Sequence, residues 1–249
     1  MASREVIEVL KVDPDLGNGI AESARGQAVR SCVARVVRAT TGDWSPPPGS
    51  DDRGGFGLLM LSGFVARRIG NQPGTAAELI GPGDLIRPSL TLMDQGDLGL
   101  ESSWAVVSDA RLGVLDARFA YRAAAYPEIA GNLTERALTR SRLLVTQAMI
   151  ARQRPVEERL RMIFAHLAER WGRVHPDGIH LDLPLTHSLI ADLVATRRPT
   201  VTSGLGALAA RGLVARTADG WLIASDQPLL HSSNGEDPSE HGIVGTSAA

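Results

Sequence analysis

Residues 191–205 read ADLVATRRPTVTSGL: an apolar run, two adjacent arginines, a proline and, after it, three hydroxyl residues in close succession. The run before the arginines has a helical period, with Leu189, Ile190, Leu193 and Val194 on one side. Thr186, just ahead of it, has the side chain of an N-cap. After the arginines, Pro199 is placed to open a second helix, where its missing N–H costs nothing. Val201, Leu205 and Leu208 then recur toward the same interior. What remains outward is Arg198, Thr200, Thr202 and Ser203 in the first turns of the second helix. Arginine can donate two hydrogen bonds to a guanine edge, hydroxyls can reach phosphates or base edges, and a helix N-terminus favours an anion. A solvated helix start would use the same residue types, so the residues downstream carry weight. LVART-ADG-WLIA (213–224) is two short extended runs around a tight turn, with Arg216 leading into it. Helix, short turn, helix opening on arginine, then hairpin is the pattern of a winged helix-turn-helix.

Upstream, PVEERLRMIFAHLAERWG (155–172) sets Val156, Leu160, Ile163, Leu167 and Trp171 on one stripe, between a proline start and a glycine stop. Residues 127–152 carry no internal proline, and Ile129, Leu133, Ala137, Leu144 and Ala148 recur near one side. A helix of that length exceeds what a compact monomer needs, which makes it a candidate dimerisation helix, with packing on its own sheet as the alternative. From Phe56 the texture is short apolar runs between glycines, FGLLMLSGFVARRIG, TAAELIGPGDLI and SSWAVVSDARLGVLD, which predicts antiparallel β structure. Residues 1–55 hold a weakly alternating SCVARVVRA and the loop TTGDWSPPPGSDDRGG, and are expected to be a variable segment, disordered or inserted at the surface. Residues 226–249 lack periodicity and are expected to be a disordered tail. The predicted fold class is α+β, in the order 1–55 variable segment, 56–126 β-barrel (jelly-roll) module, 127–154 dimerisation helix and hinge, 155–225 winged helix-turn-helix.

The 249 residues allow two modest domains. Cys32 is the only cysteine, which excludes an internal disulfide and an all-cysteine iron–sulfur cluster or zinc site. The histidines show no metal-ligand spacing. The formal charge of −2 does not itself point to nucleic acid, but Arg197, Arg198, Arg211 and Arg216 face only Asp192 and Asp219 within 184–224. There is no nucleophile elbow, phosphate loop or dinucleotide fingerprint, so no catalysis is expected. Without a membrane-length apolar run or a signal peptide, a cytoplasmic location is expected.

From Phe56 to Ala224 the chain resembles the Crp/Fnr superfamily of transcription regulators. The resemblance is carried by PVEERLRMIFAHLAERWG, VHPDGIHLDLPLTHSLIADLV and RRPTVTSGLGALAARGLVART, with GPGDLIRP (81–88) pointing to a divergent branch of actinobacterial type. It implies a cyclic-nucleotide-binding-like barrel, a long dimer helix and a winged helix. It implies a homodimer on a near-palindromic double-stranded DNA operator, with RNA polymerase as a further candidate partner. Arg198 matches the arginine that reads a guanine, and Thr186, His187, Thr200, Thr202 and Ser203 match residues that approach DNA. Arg197 and the wing's Arg216 complete the expected basic face. Ala195 stands where the turn usually has glycine. In the barrel, Arg87-Pro88 replaces the Gly-Glu that holds the ribose, and Glu101-Ser102 replaces the Arg-Ser that neutralises the cyclic phosphate, so a response to cyclic AMP is not expected. Arg87, Glu101, Ser102 and Trp104 are the residues in question for a different effector, with Trp104 expected as core and Arg87 as a surface charge. The alternatives are a sensor of another small molecule or cyclic dinucleotide, and a regulator with no ligand.

Overall fold

The computed structural model describes residues 5–48, 50, 54–70, 76–88 and 102–224. It opens with β1 (Val6–Glu8), α1 (Val9–Val12), a 3-10 turn (Pro14–Gly17), α2 (Glu22–Ser31), β2 (Val33–Ala39) and β3 (Gly42–Trp44). The long strand β4 (Gly57–Ile69), β5 (Ala76–Ile80), β6 (Leu85–Ile86) and β7 (Ser102–Leu115) come next. All pairings are antiparallel, in the order β1-β2-β7-β4-β5, with β3 on β7 and β6 on β4. Register shifts on β4 between Met60 and Val65 bend the sheet around Gly63, whose φ of 76° and closeness to the Asp109 carbonyl exclude a side chain.

The N-terminal tract departs from expectation. Among its described residues it is not an insertion: β2 lies between β1 and β7 and buries Ala34 and Val36 in alternation and, past a break in that alternation, Ala39. Val9, Leu10, Leu16, Ala28 and Cys32 join Phe119, Ile129 and Leu133 in one core cluster. The helix α2, ESARGQAVRS, buries only Ala28, too little apolar signal to be read from sequence. Burial raises the Cys32 thiol above its ordinary value. The tail from residue 225 onward lies outside the described residues.

Then come α3 (Ala117–Ala123), capped by the Asp116 carboxylate accepting from Phe119 N at 2.9 Å, and the long α4 (Pro127–Ala151). Between the buried Ile129 and Leu133 at one end and Ile150 at the other, the side of α4 toward the sheet is largely polar. Asn132 donates to Leu16 O and Asn18 O (3.0 Å each), Arg136 pairs with Asp13, Arg140 clasps Glu78 (2.7 and 2.8 Å), and Gln147 donates to Ala77 O and Leu193 O. The predicted seam therefore splits: Ile129 and Leu133 enter the N-terminal core, while Ala137, Leu144 and Ala148 are exposed. A different apolar stripe, Leu138, Val145 and Met149, stands 50–63% exposed on the opposite side.

The C-terminal module comprises α5 (Val156–Trp171), β8 (Arg173–His175), β9 (Gly178–Leu181), α6 (His187–Leu193), α7 (Arg198–Ala210), β10 (Val214–Arg216) and β11 (Trp221–Ile223), its strands ordered β10-β11-β9-β8. Leu160, Ile163 and Leu167 of α5 are buried with Leu189, Ile190, Leu193, Val201, Leu205 and Leu208. Each such side chain contributes about 1.5–3 kcal/mol on burial. Ala66, Ala77 and Leu79 of the sheet share this cluster, so the module is docked on the outer face of β4 and β5. Phe64 meets Trp171 edge-on (5.0 Å), Arg68 pairs with Asp192 (2.8 Å) and Arg170 with Asp84 (2.7 Å). Among the described residues no helix is long and apolar enough to cross a membrane.

Candidate nucleic-acid interface

The α6–turn–α7 unit is built from its caps inward. Thr186 Oγ1 accepts from Leu189 N (3.1 Å) and starts α6. At the other end Thr196 N donates back to Ala191 O (2.9 Å), closing a Schellman-type stop with Ala195 at φ 50°. Among the described residues Ala195 is the only non-glycine residue with positive φ. Arg197 then occupies the N-cap position of α7 without a side-chain capping bond, with Pro199 in the first turn. Val201, Leu205 and Leu208 point inward, and Gly204 lets α7 approach α5, since a Cβ there would lie 2.6 Å from Leu160 Cδ1.

That packing leaves Arg197, Arg198, Pro199, Thr200, Thr202, Ser203 and Gly206 exposed on one side of α7. Neither the Arg197 nor the Arg198 guanidinium has an ion pair or hydrogen bond among the described residues. The hydroxyls are more committed than the sequence suggests. Thr202 donates to Arg198 O (3.2 Å) and meets His187 Nδ1 (2.9 Å), which ties the start of α6 to α7, and Ser203 donates to Pro199 O (3.3 Å). Arg216 is also engaged internally, since it donates to Leu185 O (2.9 Å) and lies over Trp221 (4.8 Å), stiffening the β10–β11 hairpin. The hairpin turn is held by Thr217 N to Gly220 O and Gly220 N to Thr217 Oγ1, both 3.0 Å.

The expected effector residues are not gathered by the strand register. Arg87 follows Ile86, opposite Leu58 at one end of β4, whereas Ser102 pairs with Ile69 at the other. Glu101 lies outside the described residues. Trp104 is half-buried, set against Trp44 across β3 (5.9 Å, edge-on) and under Arg67 (5.6 Å). A polar group that sequence reasoning missed lies beside it. Glu78, 7% exposed, is shared by Arg67 (3.0 Å) and Arg140 (2.7 Å), and burial lowers the Arg67 pKa. Its only sequence signal is charges inside apolar strands, the arginine pair of FVARRI and the single glutamate of AAELI.

The fold is that of two modules, a sheet-and-helix module carrying a winged helix-turn-helix. Residues 158–231 match the model of the Crp-like helix-turn-helix domain. The regulatory protein CysR of Synechococcus elongatus is 30% identical over 175 residues, covering 68% of this chain and 77% of that protein. Among solved structures, FixK2 from Bradyrhizobium japonicum has a TM-score of 0.58 at 15% identity, over 79% of this chain and 95% of that one. A cyclic nucleotide-binding domain containing protein from Listeria monocytogenes has a TM-score of 0.59 at 14% identity, over 76% and 88%. These structures share the fold. The chain belongs to the Crp/Fnr family of transcription regulators.

Proposed function

We propose that the protein is a homodimeric, sequence-specific regulator that reads a near-palindromic operator with one α7 per half-site, in the cytoplasm. The observation that carries this is the exposed face at the start of α7, where two uncommitted guanidiniums lie opposite a fully buried stripe. In this reading Arg198 donates to a guanine edge in the major groove, Arg197 and Thr200 meet flanking phosphates, and Thr202, Ser203, Thr186 and His187 line the same groove. Arg216 spends one of its five donors on Leu185 O and has others left for the backbone beside the wing. Selection from a random duplex library should return a two-fold motif with half-sites about 34 Å apart. Arg198→Ala should cost about 1–3 kcal/mol of operator affinity and relax one position of the motif. Affinity that is shallow, lost with salt and free of any motif overturns specific readout.

The dimer contact in this reading is the Leu138–Val145–Met149 stripe. A helix that turns its polar side toward its own sheet and its apolar side to water is completed by a second copy of itself. Val145→Glu should convert a sedimenting dimer into a monomer while the melting of the winged helix stays cooperative; an unchanged dimer refutes this seam.

The reading includes no response to cyclic AMP. Glu101 and Ser102 stand where the related pockets neutralise the phosphate, and the sheet beside α4 carries its own Arg67–Glu78–Arg140 cluster. Cyclic AMP should change neither the melting temperature nor operator affinity.

A further inference from the structure

Arg152 and Arg154, in the link between α4 and α5, are exposed, and neither side chain has a hydrogen bond or ion pair among the described residues. The same is true of Arg197 and Arg198, and a single side chain brings the two pairs together. Arg159 donates to Gln153 O from Nε (2.8 Å) and to Val194 O and Ala195 O from Nη1 (3.1 Å each). The residue between Arg152 and Arg154 and the residues just before Arg197 therefore meet on one guanidinium. The nearby carboxylates do not answer this charge. Glu158 is held by Arg161 (2.6 Å), and Glu157, exposed on the first turn of α5, pairs with none of these arginines. A helix C-terminus favours a cation, which accounts for one arginine after Ala151 but not for this concentration. Elsewhere among the described residues only Arg35, Arg118 and Arg211 have side chains equally uncommitted, and they are spread over β2, α3 and the far end of α7.

We propose that Arg152 and Arg154 of both copies in the dimer hold the phosphates that flank the central minor groove of the operator, between the two half-sites. This contact rests on the dimeric, DNA-binding reading above. The seam of α4 supplies the position. Arg152 follows Val145 by seven residues and Met149 by three, and it keeps helical backbone (φ −86°, ψ −11°), so it continues the exposed stripe of Leu138, Val145 and Met149. In a dimer paired along that stripe the two Arg152 side chains come beside the two-fold axis, where like charges repel unless an anion lies between them. The duplex supplies that anion. When two recognition helices occupy successive major grooves on one side of B-DNA, the groove that faces the protein midway between them is the minor groove. A duplex that receives Arg198 runs past the hinge, because the hinge shares Arg159 with the turn that precedes α7. No base is read by these contacts; they make the centre of the operator part of the site through its backbone alone.

The test measures the salt dependence of binding between the full-length protein and the operator selected from the random library. It compares the parent, the double variant Arg152→Gln with Arg154→Gln, and Arg118→Gln as a control at an exposed arginine of α3. Each phosphate contact contributes about 0.9 to the slope of log K against log salt, so the double variant, which loses four contacts per dimer, should have a slope shallower by about 3–4. Its selected half-site motif and its sedimenting dimer should be unchanged. Arg118→Gln should keep the parent slope. Neutral methylphosphonates in place of the central phosphates should weaken binding of the parent and leave that of the double variant unaltered. A parent slope in the double variant, an equal loss of slope in Arg118→Gln, or equal sensitivity of parent and double variant to the central methylphosphonates overturns the proposal. Loss of the dimer in the double variant also overturns it, since the arginines would then serve carboxylates of the second copy. A protein that selects no two-fold motif overturns the DNA reading and this contact with it, whereas a selected motif bound by the double variant with the parent slope removes only the contact.

Discussion

Replacing Ala195 by glycine should stabilise the winged helix. At φ 50° the Cβ of an L-residue crowds its own carbonyl, at a cost of about 1–2 kcal/mol that glycine does not carry. Glycine loses more freedom on folding, which returns about 0.4–1 kcal/mol of that gain. Ala195 is exposed, so the methyl group gives up little packing. The surrounding bonds, Thr196 N to Ala191 O and Arg159 Nη1 to Ala195 O (3.1 Å), involve only backbone atoms at 195 and survive the change. The net expectation is a gain of about 0.5–1 kcal/mol. The size of the melting shift also reports cooperativity. A winged helix unfolding alone is a domain of fewer than about 100 residues, in which 1 kcal/mol moves Tm by about 4–8 °C; melting together with the sheet reduces this to about 2–4 °C. Differential scanning calorimetry of Ala195→Gly, with Ala195→Val as a β-branched control that should be destabilised, measures both. A glycine variant that melts at or below the parent refutes the left-handed assignment.

Two further outcomes rest on equally local geometry. Gly206 lies on the exposed face of α7 with open space where a Cβ would sit, so Gly206→Ala should raise stability by about 1 kcal/mol in denaturant melts; any accompanying loss of operator affinity would mark close approach of DNA to the bare backbone. His166 is buried, and burial, with Arg170 as the second cause, holds its imidazole below the ordinary value of 6.5. Below about pH 6.5 the unfolded chain takes up a proton that the folded chain refuses, so stability is full above that pH and falls as pH drops toward the folded value, by at most about 1.4 kcal/mol per pH unit. His166→Gln should flatten that part of the profile in urea midpoints measured between about pH 8 and about pH 5; an identical slope shows that other groups set it.

The winged helix was legible because each of its elements carries a local mark: the Thr186 cap, Pro199, the apolar period of α6 and α7, and the TADG turn. The misfit at Ala195 was visible only through the resemblance, in which the turn usually has glycine at that place, and φ 50° gives its physical reason. The long helix was only half legible. Its length and limits follow from Pro127 and the absence of internal breakers, but which side faces the sheet depends on partners far away in sequence. Asn132, Arg136, Arg140 and Gln147 look like a solvated face until Asp13, Glu78 and the carbonyls of Leu16 and Ala77 are brought beneath them. The N-terminal tract failed for a different reason: β1 and β3 are three residues each, and α2 has one buried side chain, too little apolar signal for periodicity to detect. At Arg216 the sequence shows the charge but not its internal contacts, one hydrogen bond to Leu185 O and the face of Trp221.

The contacts at residues 192–195 join the two modules. Arg68 from β4 holds Asp192, Gln147 from α4 donates to Leu193 O, and Arg159 from α5 donates to Val194 O and Ala195 O. The same Arg159 reaches Gln153 O (2.8 Å) in the link between α4 and α5. Three elements therefore converge on one turn, and that turn sets the direction of α7. Each hydrogen bond contributes about 1 kcal/mol net, and the partly exposed Arg68–Asp192 pair no more than about 1 kcal/mol. Their sum is a few kcal/mol. A full reversal of a two-state equilibrium from 1:99 to 99:1 takes about 5.5 kcal/mol of differential binding, so a device of this size can be moved by one small ligand. Loss of Gln147 or Arg159 alone should shift the orientation of α7 without unfolding it. Gln147→Ala then tests whether the turn is held from outside: changed operator affinity with an unchanged melting temperature is expected, and a fall in both together would mean that the same bonds simply hold the module folded.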